Sequence, residues 1–137
     1  DRRSLQHLRV IQRHLVYVIG LSPNVASEEI LRSGRYFGQY GRVAKVVINH
    51  HHGVGPEDPR HGSASAYITF QYAEDAWSAI KAVDGFALEG RHVRASFGTT
   101  KYCNSFLRNL PCNNPDCLYL HELGDEEDRF TKEQIQV

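Results

Sequence analysis

The sequence contains no methionine, one tryptophan and only three cysteines in 137 residues. It also lacks any apolar run near the roughly 18 residues that a membrane-spanning helix requires, and its first residues do not resemble a secretion signal. We therefore expect no membrane partner. Because the chain begins at Asp1 and has no methionine at all, we interpret it as a piece of a longer protein.

The sequence also has no excess of positive or negative charge, since 16 Lys and Arg residues balance 16 Asp and Glu residues. This balance argues against a nucleic-acid-binding chain that is strongly basic throughout. The charges are unevenly placed, however. Residues 1–121 carry 14 basic and 10 acidic side chains, whereas residues 122–137 carry 2 and 6. We interpret residues 125–137 as a solvated acidic tail that follows a mildly basic body.

The few cysteines are close together, at positions 103, 112 and 117. An odd number without a secretion signal argues against a disulfide framework and for a reducing compartment. Cys103, Cys112 and Cys117 are separated by eight and four residues, and His121 follows after three more. Three thiolates and one imidazole form a closed tetrahedral set for one structural Zn²⁺. The spacing predicts a Cys-Cys-Cys-His zinc finger over residues 99–124, with metal binding as the main source of its folding free energy.

Hydrophobic periodicity predicts an α+β fold for the rest of the chain. The predicted strands are residues 15–21, 43–49, 64–71 and 91–97. One helix is expected to begin after an N-cap at Ser27 and to end near Gly38 and Gly41, and a second to cover residues 74–83. The order β-α-β-β-α-β is that of a ferredoxin-like sandwich, in which two helices cover one face of a four-stranded antiparallel sheet. Leu5 and Leu8, with arginines around them, predict an amphipathic linker helix over residues 1–14.

Residues 16–21 read VYVIGL and residues 63–70 read SASAYITF. These stretches resemble the first-strand and third-strand motifs of the RNA recognition motif, which we predict for residues 15–98. Tyr67, Ile68 and Phe70 match the third-strand pattern. Ser63 stands where the family has a basic residue, and Ser65 where it usually has a stacking aromatic.

A wider similarity rests on four stretches, YFGQYGRVAKVVIN, SASAYITF, GTTKYC and CLYLHELGDE. Through them the whole sequence is similar to a segment of the RING-type ubiquitin-ligase subunits of Ccr–Not deadenylase complexes. The resemblance implies single-stranded RNA as a ligand, and deadenylase-complex subunits and the ribosome as partners of the full-length protein. It also implies a cytoplasmic and nuclear location. The RING, and with it the ligase activity, would belong to residues outside this chain, and we expect the segment itself to be monomeric.

Strand alternation, together with the family pattern, predicts an RNA-binding face on the open side of the sheet. The predicted RNA contacts are aromatic, basic or amide side chains: Tyr17, Lys45, Asn49, Tyr67 and Arg94 on the sheet, and Lys101, Tyr102, Phe106, Arg108 and Tyr119 in the finger. Three alternatives stay open. The sheet tyrosines could pack under residues 1–14 or the tail, Phe106 and Tyr119 could form the core of the finger, or the face could dock a protein.

Two remaining features have plainer explanations. Three consecutive histidines, residues 50–52, cannot all converge on one ion from a loop, so we interpret residues 50–63 as solvated. Trp77 lies beside a stripe of alanine and isoleucine and is expected to be partly buried packing.

No arrangement of nucleophile and base stands apart from the metal ligands. We therefore expect no enzymatic activity in this segment.

Overall fold

The computed structural model describes residues 2–51, 57 and 62–135. The chain forms two compact units, Arg13–Gly98 and Asp1–Gln12 with Thr99–Val137. None of the helices in the described ranges is long and apolar enough to cross a membrane. Most of the predicted histidine- and glycine-rich loop, including His52, lies outside the described residues.

The unit Arg13–Gly98 has the predicted ferredoxin-like α+β fold. The elements that contribute residues to it, in chain order, are β1 (Leu8–Leu21), α1 (Glu28–Arg32), β2 (Val43–His50), β3 (Ala64–Phe70), α2 (Ala73–Val83), β4 (Ala87–Leu88), β5 (Arg91–His92) and β6 (Arg94–Thr100). The main sheet has the order β2-β3-β1-β6, and β4 and β5 form a separate hairpin. The predicted fourth strand is therefore divided between β5 and β6.

Alternate residues of the central strands are buried, because successive side chains of a strand point to opposite faces. The fully buried side chains of the sheet core include Val16, Val18, Ala66, Ile68 and Phe70. Helix α2 covers them with its stripe of Ala76, Ala79 and Ile80. Each large apolar side chain buried in this way contributes roughly 1.5–3 kcal/mol relative to an exposed one.

Helix α1 begins where the sequence predicts and ends earlier. The Ile30 N–H donates to the Ser27 hydroxyl oxygen at 3.1 Å, which confirms Ser27 as the N-cap. The helix stops at Arg32, because Ser33 adopts an extended conformation and both its N–H and its hydroxyl donate to the Ile30 carbonyl. A 3-10 helix, Phe37–Gln39, covers the region where the predicted helix end was placed.

The predicted helix over residues 1–14 is wrong for the residues described. Arg2–Leu5 is a 3-10 helix, and the chain is a strand from Leu8 onward. The cause is a pairing partner that is distant in sequence. Leu8–Val10 pairs in antiparallel fashion with β7 (Arg129–Thr131). A strand with a partner satisfies its backbone groups across the ladder, and this outweighs the local spacing of Leu5 and Leu8.

The interpretation of residues 125–137 as a solvated tail holds for Asp125, Glu126 and Glu127, which are exposed, and fails for residues 128–131, which follow them. A 3-10 helix, Glu126–Asp128, leads into β7, and the short helix α4 (Lys132–Ile135) follows. The acidic run does include a buried residue, Asp128. Helix α3 (Asn104–Leu107) belongs to the same unit and follows the first predicted metal ligand.

Gly20 is the glycine of the sheet at which substitution by a larger residue should be tolerated least. Its φ of +84° lies in the left-handed region, and an added Cβ would lie 2.7 Å from the His92 carbonyl oxygen. We expect Gly20→Ala to lower the free energy of unfolding by about 2 kcal/mol, since strain and backbone contact add together. Urea denaturation measures this change. The matched control is Gly34→Ala, where nothing lies within 4 Å of the added Cβ. Equal effects of the two substitutions would contradict this explanation.

Candidate nucleic-acid interface and metal centre

Two tyrosines stand together on the outer face of the sheet. Tyr17 of β1 lies directly opposite Tyr67 of β3 in the antiparallel register. Their rings are stacked, with centroids 4.7 Å apart and planes 22° apart. Both are half-buried, so the two side chains form one aromatic platform and not two separate rings. Aromatic pairs in this arrangement gain about 0.5–1.5 kcal/mol beyond the area they bury.

The pKa of one tyrosine hydroxyl in the platform is shifted. Burial raises the pKa of the Tyr67 phenol above its ordinary value of 10.0. Repulsion from the negative charge of an ionised Tyr17 raises this pKa further. Tyr67 therefore keeps its proton throughout the neutral range. A protonated phenol can both donate and accept a hydrogen bond at the edge of the platform.

The neighbouring strand adds polar and apolar side chains to the same face. Lys45 and Asn49 are exposed, and Val47 lies opposite Tyr67 with 41% of its surface exposed. Val43 and Val46 of the same strand are buried in the core. The exposure of Val47 agrees with the strand alternation, which predicts an outward position for this residue.

Ser65 occupies the position where the family usually has a stacking aromatic, and it is buried with only 2% of its surface exposed. It lies opposite Asn49 in the pairing of β2 with β3. A buried serine offers no ring to a base. The stacking surface of the described sheet is therefore limited to the Tyr17–Tyr67 platform, as the departure at Ser65 predicts.

Arg94 is exposed but already has a partner. Its Nε donates to Oδ1 of Asp84 at 2.7 Å, and the Ala95 N–H donates to the same oxygen at 3.0 Å. The hydrogen bond from Arg94 holds the pKa of the Asp84 carboxyl below its usual value, with a further contribution from the Ala95 amide. Asp84 directly follows the predicted helix of residues 74–83, and no local sequence pattern relates it to Arg94. A phosphate that reaches Arg94 must compete with this carboxylate.

The four predicted metal ligands lie together in the second unit. The sulfur atoms of Cys103, Cys112 and Cys117 and a ring nitrogen of His121 all lie within 4.8 Å of one another. In a tetrahedral zinc site, bonds of about 2.3 Å to sulfur place the sulfur atoms roughly 3.8 Å apart. The donor set therefore fits one four-coordinate ion, and the thiolate and imidazole chemistry fits zinc. No other cluster of possible metal ligands occurs in the described parts of the chain.

Backbone hydrogen bonds bring the first and last ligands of this cluster together. The Cys103 N–H donates to the Leu120 carbonyl at 3.0 Å, and the Leu120 N–H donates to the Lys101 carbonyl at 3.0 Å. The Asp116 N–H donates to the Asn114 side-chain oxygen at 2.9 Å, which forms the turn before Cys117. Asn and Asp residues favour turns of this kind, because their side chains accept hydrogen bonds from nearby backbone amides.

The cysteines differ in how readily they ionise. The pKa of Cys103 is lowered to about 6, first by hydrogen bonding from the Phe106 backbone amide. For Cys117, hydrogen bonding from the Tyr119 backbone lowers the pKa. Burial and the neighbouring cysteines outweigh that effect, so the pKa of Cys117 is raised. The thiolate is the form that binds a metal. A bound cation would favour the thiolate at Cys117 as well, because it offsets the repulsion between the sulfur atoms.

Two predicted RNA contacts are packing residues. Tyr102 is only 3% exposed, and its hydroxyl donates to the Leu123 carbonyl at 2.5 Å. Phe106 stacks on Tyr102 with ring centroids 5.7 Å apart, and the Arg2 guanidinium lies 4.1 Å from the Phe106 centroid. Burial in this cluster corrects the prediction that Tyr102 and Phe106 contact RNA. It supports the alternative that Phe106 belongs to the core of the finger.

The other predicted finger contacts are exposed. Lys101, Arg108 and Tyr119 lie on the surface, and the Lys101 ammonium is 4.7 Å from the centroid of the Tyr119 ring. The prediction of partly buried packing is confirmed for Trp77, because this residue is 49% exposed and stacks on Phe97. An indole placed on the outer edge of a helical stripe reaches solvent even when the stripe itself is buried.

The chain is similar to a known domain family and to two proteins of yeasts. The family description RNA recognition motif matches residues 16–94. A Schizosaccharomyces pombe protein named as a general negative regulator of transcription is 51% identical over 98% of this chain. General negative regulator of transcription subunit 4 of Saccharomyces cerevisiae is 46% identical, also over 98%. The chain spans only 28% and 24% of the length of these two relatives.

Solved structures share the fold at low sequence identity. The third RNA recognition motif of Pes4 is 15% identical with a TM-score of 0.51, covering 66% of this chain and 98% of that one. The three N-terminal RNA-binding domains of the yeast splicing factor Prp24 give 20% identity and the same TM-score, covering 66% of this chain and 34% of that one. At these identities, the likeness establishes the fold alone.

The tyrosine platform predicts a specific titration. We expect Tyr17→Phe to lower the pKa of Tyr67 towards 10.0, because the substitution removes the charged neighbour. The folded state binds this proton more tightly than the unfolded state. The resulting stabilisation is therefore present below pH 10.0 and is lost as the pH rises through the elevated pKa. Carbon NMR of ring-labelled tyrosine measures the titration. Tyr72→Phe, a change at an exposed tyrosine outside the platform, should leave it unchanged. An unaltered Tyr67 titration in Tyr17→Phe would contradict the coupling.

Proposed function

This chain belongs to the RNA recognition motif family, and from that premise we propose that it binds single-stranded RNA on the outer face of its sheet. The observation that carries the proposal is the stacked pair of Tyr17 and Tyr67 on the two central strands. Unpaired bases stack on such rings, and each stacked base contributes roughly 1–3 kcal/mol. Binding of this kind tolerates different base sequences, because every base has an aromatic face.

The side chains around the platform have separate roles in this proposal. Lys45 supplies a positive charge for the phosphate backbone, and the Asn49 amide can both donate to and accept from a base edge. Arg94 reaches RNA only if a phosphate competes successfully with Asp84. Because Ser65 provides no third ring, we expect modest affinity from the sheet alone.

We further propose that one structural Zn²⁺ is held by Cys103, Cys112, Cys117 and His121. The support is the convergence of these four donors within 4.8 Å. The ion would neutralise the thiolates and fix the loops of residues 99–124. Lys101, Arg108 and Tyr119 are the exposed finger residues proposed to contact RNA. The finger is covalently joined to the sheet, so it would meet an RNA already bound to the sheet at a high effective concentration. The two contacts together would therefore give a higher affinity than either one alone.

In the larger protein, we propose that this chain is the RNA-binding part of a RING-type ubiquitin-ligase subunit of a Ccr–Not deadenylase complex. Two relatives named as general negative regulators of transcription support this role, at 51% and 46% identity over nearly the whole chain. Ligase activity would belong to residues outside this segment. Deadenylase-complex subunits and the ribosome are the proposed partners of the full-length protein in the cytoplasm and the nucleus.

A second candidate function for the same face is protein docking. Ile19 and Val47 are 42% and 41% exposed on the sheet, and exposed aliphatic side chains suit a protein partner better than a phosphate backbone. Only RNA binding, however, gives the tyrosine platform and Lys45 a common purpose.

Removing the platform tests the RNA proposal. We expect Tyr17→Ala combined with Tyr67→Ala to weaken binding of a short fluorescein-labelled single-stranded RNA at least tenfold, because the stacking surface is lost. Fluorescence anisotropy at near-physiological salt measures the affinity. Tyr72→Ala, at an exposed tyrosine outside the platform, is the matched control and should bind like the wild type. The proposal would be contradicted if the wild-type chain did not bind the RNA at tens of micromolar protein, or if the double variant bound it equally well.

Metal analysis tests the zinc proposal. We expect about one zinc per chain by mass spectrometry of the metal content, and its loss in Cys103→Ser, since four-ligand sites tolerate the loss of a thiolate poorly. Affinity should fall as the pH falls, because protons compete with the metal for the thiolates and the imidazole. Ser105→Ala, a change beside the ligand, should keep the metal. Full zinc content in Cys103→Ser would show that the ligand set is wrong.

A further inference from the structure

A cavity of about 260 Å³ lies in the unit Arg13–Gly98, and neither tyrosine of the platform lines it. One side comes from α1 and the 3-10 helix after it, through Leu31 and Phe37. The other comes from the end of α2 and the β4 region, through Val83 and Leu88. The cavity therefore belongs to the helical side of the sandwich and leaves the proposed RNA face untouched.

The mouth of the cavity carries an aromatic side chain held in place by the backbone. Phe86 lines the cavity and is 58% exposed. The Gly85 N–H donates to the Val93 carbonyl at 2.7 Å, and the Val93 N–H donates to the Phe86 carbonyl at 2.9 Å. These two hydrogen bonds fix the turn before the ring. The apolar site is therefore already formed before any ligand arrives, which lowers the cost of binding.

Arg35 is the one charged residue among those that line the cavity. Within the described part of the chain, its guanidinium has no hydrogen-bond or ion-pair partner. Among the residues that the structure describes, no carboxylate lines the cavity to balance this charge. An apolar cavity with an unpaired guanidinium at its rim complements a ligand that combines an apolar group with a negative charge.

We propose that this cavity binds a short acidic peptide segment of a partner protein, which inserts one aromatic side chain and places a carboxylate against Arg35. The size supports an aromatic anchor, since an apolar cavity of about 150 Å³ already holds benzene. A volume of about 260 Å³ leaves room for an indole. Because the RNA face lies on other residues, the peptide and RNA can bind at the same time.

Nuclear magnetic resonance with the nitrogen-labelled chain tests this proposal. The probe is a short synthetic peptide with a central tryptophan flanked by glutamates and aspartates. We expect it to shift the amide signals of Tyr40, Val83 and Phe86 with a Kd of roughly 0.1 mM, which is typical of a short flexible ligand. The signals of Tyr17 and Tyr67 should stay in place. The matched peptides replace the tryptophan with alanine or the acids with lysines, and each should bind at least fivefold more weakly.

Two surface substitutions, each with its own control, separate the charge from the apolar contact. Arg35→Glu and Phe86→Ala should each weaken the acidic tryptophan peptide about fivefold or more, whereas Arg42→Glu and Tyr72→Ala should not. All four side chains are exposed, so the fold should be kept. The proposal is overturned if the tryptophan peptide gives no shifts at millimolar concentration, or if both cavity variants bind it like the wild type. Shifts of these signals caused by single-stranded RNA, or by self-association on concentration without peptide, would overturn it as well.

Discussion

The register between β1 and β3 is the constraint on which the sheet and its candidate site both depend. It places Val16 opposite Ile68, Tyr17 opposite Tyr67 and Val18 opposite Ala66. The first and last of these pairs are buried in the core, and the middle pair forms the tyrosine platform. A slip of one residue would exchange the two faces. The same pairing that stabilises the core therefore presents the aromatic surface, and no separate element is needed to position it.

The second unit depends on a different kind of constraint. It has few residues for a core, so the cluster of Val10, Tyr102, Phe106 and Leu107 is small. Convergence of Cys103, Cys112, Cys117 and His121 gives the unit a site where metal binding can add folding free energy. The Tyr102 hydroxyl and the strand pair at Leu8–Val10 hold the residues around that site. Polar interactions and the proposed metal site thus take the place of much of the hydrophobic burial that stabilises the larger unit.

The sequence predicts well those features that depend on residues close together in the chain. The alternation of β1 and β3, the cap at Ser27 and the ligand spacing from Cys103 to His121 are of this kind. It fails where a distant partner decides the outcome. Leu8–Val10 is a strand because residues 129–131 pair with it, and Phe106 is covered by Arg2 from the opposite end of the chain. The cavity near Arg35 likewise brings together segments that no local pattern relates.

Stacking of unpaired bases on the Tyr17–Tyr67 platform can be observed directly. Intermolecular nuclear Overhauser effects between the tyrosine ring protons and the base protons of a bound single-stranded RNA report it. We expect such contacts for both rings when the chain is supplied with zinc. A complex whose RNA contacts lie only on other residues, with the two rings still stacked on each other and remote from every base, would contradict it.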